Sequence, residues 1–202
     1  TYTTNNLGFV AHRDFLPDPK AVAVIGDSHI EQNYLPMALR LDTQLEQRLA
    51  GRPVYGMGVP GTSLLDYAER IRYAYQHLNI RTMVLVLEDF DIDQALCGSG
   101  NTQAWCIAPE SGRLEDAHQP TPGLAKRLLR ESALAQYLFS QIKLSPDALR
   151  KALAPQPPKT PAKTGRTPMA PATYQAIREA FFARLADLPE LKLTIALAPG
   201  NR

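Results

Sequence analysis

The chain reads as an α/β protein built on a parallel sheet, and three observations predict this. Apolar runs of strand length recur, the first of them without the polar alternation of a one-sided sheet. Between them lie stretches whose apolar residues repeat at helical spacing. The connections are short, and strand–helix–strand order with short connections implies right-handed crossovers and a sheet covered on both faces. With 202 residues, 45% of them hydrophobic and 21% charged, the chain can bury a core, which excludes collagen-like, coiled-coil and wholly disordered architectures. A formal net charge of +2 leaves no electrostatic footprint for nucleic acid. No apolar run approaches the roughly 18 residues needed to cross a bilayer.

The first expected strand is the run Ala21-Val22-Ala23-Val24-Ile25, and Leu41, Leu45 and Leu49 follow it at helical spacing. Pro53-Val54-Tyr55 opens a short second strand. Leu64, Tyr67, Ala68, Ile71, Ala74, Tyr75 and Leu78 then define an amphipathic helical face. Residues 83–87 form a third buried strand. An insertion over residues 94–172 follows, with a helical face at Leu124, Leu128, Ala135, Leu138 and Ile142. It ends in a proline-rich linker over residues 154–172, where prolines remove backbone donors and stiffen the chain. Tyr174, Ile177, Phe181 and Leu185 make one more helical face. Leu191, Leu193, Ile195 and Leu197 alternate with Lys192, Thr194 and Ala196 as the fourth strand. Residues 1–202 are expected to form one domain that continues past Arg202.

Parallel sheets place their chemistry outside the carboxyl ends of the strands, where strand order reverses. Each of the first three strands ends in something unusual. Gly26-Asp27-Ser28-His29 follows the first: a glycine allows a sharp turn, and a serine then projects at the mouth of a helix whose N–H groups favour negative charge. The plainer reading of Ser28 is a helix cap. After the second strand comes Gly56-Met57-Gly58-Val59-Pro60-Gly61-Thr62-Ser63, a loop whose bare amides can approach a ligand. After the third comes Glu88-Asp89-Phe90-Asp91-Ile92-Asp93, whose plainer reading is a solvated strand end.

Val24-Ile25-Gly26-Asp27-Ser28 resembles the first sequence block of the SGNH (GDSL-type) hydrolases, and Gly58-Val59-Pro60-Gly61-Thr62 resembles the second. The histidine after the serine is similar to SGNH domains linked to membrane acyltransferases that decorate surface polysaccharides. The resemblance covers residues 21 to about 93 and, through strand order, 191–198. It implies a three-layer, flavodoxin-like sandwich and an ester hydrolase working through an acyl-enzyme. Ser28 would be the nucleophile, and the amides of Ser28 and Gly61 would hold the oxyanion. Gly26, Asp27 and Gly58 would support the turns.

Two features depart from that pattern. Asp91 stands where the family has an asparagine that donates to the oxyanion, and an ionised carboxylate accepts hydrogen bonds without donating any. The Asp-x-x-His segment that supplies the base is missing, so the base is expected beyond Arg202. The echo Glu115-Asp116-Ala117-His118 lies out of context in the insertion. Cys97 and Cys106 enclose eight residues, which is no metal motif, and a disulfide between them would indicate an oxidising compartment. The alternative is a pair of reduced thiols in the cytosol. The expected substrate is an acylated saccharide or small ester in the bacterial periplasm or cell envelope. No metal and no nucleotide cofactor is implied. Two rivals stand beside hydrolysis: O-acetyl transfer to a polysaccharide through the same serine, and a non-catalytic binding domain on the same scaffold.

Overall fold

The computed structural model describes residues 3–88, 90–99, 104–117 and 169–198. The expected helix over 124–142, most of the proline-rich linker, Asp89 and His118 lie outside the described residues. Four parallel strands form the central sheet: β1 (Val22–Gly26), β2 (Val54–Gly58), β3 (Thr82–Leu87) and β6 (Lys192–Leu197). Their order is β2-β1-β3-β6, so the chain steps from β1 to one side for β2 and returns to the other side for β3. A short antiparallel pair, β4 (Trp105–Ile107) and β5 (Leu114–Asp116), stands apart. The helices are α1 (Ser28–Glu31), α2 (Leu41–Arg48), α3 (Leu64–His77) and α4 (Pro171–Ala183). None of the described helices is long and apolar enough to cross a membrane.

Alternate residues of the strands serve two apolar clusters, as the period of two requires. On one face Ala21, Ala23, Ile25, Tyr55, Met57, Met83, Leu85 and Leu87 pack with Leu65, Tyr67, Ala68, Ile71 and Ala74 of α3 and with Ile177 and Phe181 of α4. On the other, Val22, Val24 and Val54 meet Ile30 of α1 and Leu45 of α2. Both faces of β1 are covered, which explains its unbroken apolar run. Each fully buried Leu, Ile or Phe contributes about 1.5–3 kcal/mol.

Three expectations need correction. Strand β2 extends to Gly58, so Gly56 and Gly58 belong to the sheet and only the segment from Val59 onward is loop. The glycines are there because helices press on the strand. A Cβ on Gly58 would lie 2.1 Å from the Glu31 amide nitrogen of α1, and one on Gly56 would meet Asp42 of α2. Pro171, assigned to the linker, opens α4 at a first-turn position, where its missing N–H has no partner to lose. The alternating apolar side of β6 is not covered along its length: Leu193 is half-buried, whereas Leu197 is 79% exposed.

Candidate functional site

Strand order reverses between β1 and β3, and the residues just beyond their carboxyl ends form the candidate site. Leaving β1 at Gly26, the chain turns through Asp27, whose carboxylate accepts from the His29 backbone N–H at 2.8 Å and caps α1. The plainer role expected for Ser28 therefore falls to Asp27. Ser28 opens the helix and is partly exposed. Among the described residues no hydrogen bond engages its hydroxyl, and its carbonyl accepts from Gln32 N at 3.1 Å. After a single turn α1 stops at Gln32, which takes the left-handed conformation (φ 47°).

The end of β2 lies against this turn. Gly26 and Gly58 are register partners, and the Val59 amide donates to the Gly26 carbonyl at 3.3 Å. The Gly58 contact with α1 fixes the helix over the strand end. Gly61 then turns with φ +68°, the left-handed region that favours glycine, and is exposed. Neither the Gly61 nor the Ser28 amide has a backbone acceptor among the described residues. Ser63 and Asp66 close the loop with a reciprocal capping box at the start of α3, where Asp66 accepts from the Ser63 amide at 2.8 Å and hydroxyl at 2.9 Å. The other Asp66 oxygen accepts from the Ala104 amide at 2.9 Å, tying this helix start to the segment around Cys106. Cys97 and Cys106 stand at disulfide distance, 2.06 Å between sulfurs.

Asp91, expected at the oxyanion position, is a structural brace instead. Its side chain is 0% exposed, and its two oxygens accept from the Tyr67 hydroxyl at 2.9 Å and the Glu88 amide at 2.7 Å. The Leu64 amide also donates to its backbone carbonyl at 3.2 Å. Burial pushes its pKa up to about 6, against the lowering effect of those two side-chain hydrogen bonds. Burial and the neighbouring Asp91 charge raise the Tyr67 phenol as well.

One contributor escaped sequence reasoning. The Arg70 guanidinium donates to the carbonyls of Gly26 (2.7 Å) and Met57 (2.8 Å) and to the Thr62 hydroxyl, so one side chain joins the ends of β1 and β2 and the following loop. Loss of water lowers its pKa to about 10, which leaves it cationic at neutral pH. Its sequence signal was an arginine one turn after Tyr67, flanking the apolar side of α3. The His29 imidazole, noted in the sequence as the residue after Ser28, turns to the acids: its Nδ1 lies 2.6 Å from Glu88 Oε1 and 3.2 Å from Asp27 Oδ1.

Comparison with protein-family models, curated proteins and solved structures finds no match. The site offers a hydroxyl with no hydrogen-bond partner among the described residues, two amides with no backbone acceptor, an acid-paired imidazole and a guanidinium that locks the strand ends.

Proposed function

We propose that the chain carries the nucleophile and oxyanion donors of a serine ester hydrolase of the SGNH type, on a three-layer, flavodoxin-like scaffold. The observation that carries this reading is the Ser28 hydroxyl, without a hydrogen-bond partner among the described residues, at the carboxyl end of β1 where strand order reverses. In the proposed reaction Ser28 Oγ attacks the ester carbonyl carbon and its proton passes to a base outside the described residues. The carbonyl oxygen takes up the negative charge facing the Ser28 and Gly61 amides. Each such donor is worth about 3–4 kcal/mol in the transition state. The C–O bond to the alcohol then breaks and the alcohol leaves with a proton. Water hydrolyses the acyl-serine and releases the acid. With Asp91 turned inward, the oxyanion is held by backbone amides alone. The substrate class is an acylated saccharide or small ester, and the Cys97–Cys106 pair supports an oxidising, extracytoplasmic setting.

Labelling with a fluorophosphonate followed by intact-mass and peptide analysis tests the proposal. One adduct on Ser28 that disappears in Ser28→Ala is expected, and absence of any adduct on Ser28 overturns it. A second reading, a non-catalytic binding domain, is favoured by one observation: the carboxylate at position 91 has no proton to donate when ionised and is closed off from any ligand. Failure of the label together with saturable binding of an acylated glycan would select that reading.

A further inference from the structure

We propose that Asp27, His29 and Glu88 form a binding site for a divalent cation of the zinc type, with Asp27 Oδ1, His29 Nδ1 and Glu88 Oε1 as protein ligands. The inference goes beyond the esterase reading and does not rest on it. It also departs from the expectation that no metal is involved. The three residues come from the two strands that flank the reversal in strand order, Asp27 and His29 from the end of β1 and Glu88 from the end of β3. One ligand atom from each lies within 4.8 Å of the others.

Three features select a cation over a simple polar cluster. The first is charge. Asp27 is buried and Glu88 largely so, and among the described residues their salt bridges are to His29 alone, with no lysine or arginine. Arg70 places a favourable charge near Asp27 but gives its hydrogen bonds to the Gly26 and Met57 carbonyls and the Thr62 hydroxyl, so among the described residues no guanidinium or ammonium bridges the two carboxylates. A divalent ion neutralises both. The second is geometry. Two ligands on a tetrahedral zinc, each about 2.0–2.1 Å from the metal, stand roughly 3.3 Å apart. The 3.2 Å from His29 Nδ1 to Asp27 Oδ1 already matches, and the 2.6 Å to Glu88 Oε1 opens with a small rotation of the glutamate. The third is support. Asp27 is fixed by its bond to the His29 amide, and the Glu88 backbone by its bond to Asp91, so the ligands are held by outer contacts as metal ligands usually are. The His29 side chain is 56% exposed, which leaves a way in and room for water to complete the coordination.

The ligand set decides the class of ion. One imidazole and two carboxylates suit borderline ions such as Zn²⁺ or Mn²⁺ better than calcium, which takes an all-oxygen shell. It also excludes the soft copper(I) site, since both cysteines stand in the Cys97–Cys106 pair. Binding requires the Nδ1 lone pair, so the ion takes the place of the direct His29–Glu88 contact.

Isothermal titration of EDTA-treated, metal-free protein with zinc chloride tests the proposal. A single saturable site per chain is expected, together with a rise in the parent's melting temperature. Glu88→Gln, which keeps the side-chain shape, and His29→Ala should each weaken binding by more than about tenfold. His12→Ala, His77→Ala and Ser28→Ala should leave it unchanged. Near-UV circular dichroism matching the parent shows that each variant is folded, and the absence of a zinc-induced melting shift in Glu88→Gln gives a second readout. No heat above dilution in the parent, or equal binding in Glu88→Gln and His29→Ala, overturns the proposal. Because titration needs no turnover, zinc binding without a fluorophosphonate adduct, or the adduct without zinc binding, separates the two proposals.

Discussion

Asp91 receives two side-chain hydrogen bonds that favour its charged form, from the Tyr67 hydroxyl and the Glu88 amide, yet burial outweighs them and pushes its pKa up to about 6. A carboxyl with a folded pKa above its unfolded value binds more protons when folded, so its contribution is fullest below the unfolded value and is lost as pH rises through the folded one. The window runs from about pH 4 to about pH 6. At about 1.4 kcal/mol per unit, the loss is about 3 kcal/mol. Asp91→Asn removes the titration and keeps the shape. The difference in unfolding free energy between parent and Asp91→Asn, measured by urea melts across that window, is expected to fall by about that amount as pH rises. A difference that stays constant with pH rules it out. Sequence alone placed Asp91 near the strand end but left open which way it faces. That direction is set by Tyr67, 24 positions earlier on α3, through a contact made only once the helix docks. Arg70 was hidden for the same reason, since three acceptors from three segments converge on it only in the folded chain.

The elements themselves were easier to read, because period and punctuation are local. The helix over Leu64–His77 follows its apolar spacing, and the four strands fall where apolar runs stand. Strand β2 was drawn too short because glycine normally weakens a strand, whereas here the close approach of α1 and α2 demands it. Gly58→Ala tests that account. The added methyl meets backbone atoms of Glu31 and Ile30 at 2.1 and 2.5 Å, which no side-chain rotation relieves. Overpacking of this kind costs about 1–3 kcal/mol or more. The melting temperature should drop by about 5 °C or more, with slower fluorophosphonate labelling of Ser28 as α1 shifts. An unchanged melting temperature would mean that the helix is free to move away.

For the molecule as a whole, the two sides of the sheet are unequally protected. Long-range contacts clamp α3 to the segment after α4: Arg72 pairs with Asp187, Arg184 with Glu69, and the Tyr75 hydroxyl donates to the Pro189 carbonyl at 2.7 Å. Beyond them β6 is an edge strand among the described residues, and Ile195, Leu197, Tyr174 and Phe182 line an apolar groove beside it. An exposed apolar edge invites pairing with another chain. Leu197→Lys places a charge on a side chain with few contacts to lose. It should leave the far-ultraviolet spectrum unchanged and reduce light scattering during heating. Equal scattering would show that aggregation starts elsewhere.

The pairing of β3 with β6 has a consequence during synthesis. Thr82 of β3 lies against Lys192, roughly 110 residues later in the chain. At about 5–20 residues per second, the ribosome needs on the order of 5–20 s to deliver the partner strand. Through that interval a nascent chain holds β3 with one row of peptide groups bare, an opening that a chaperone or a neighbouring nascent chain can reach before its own partner does.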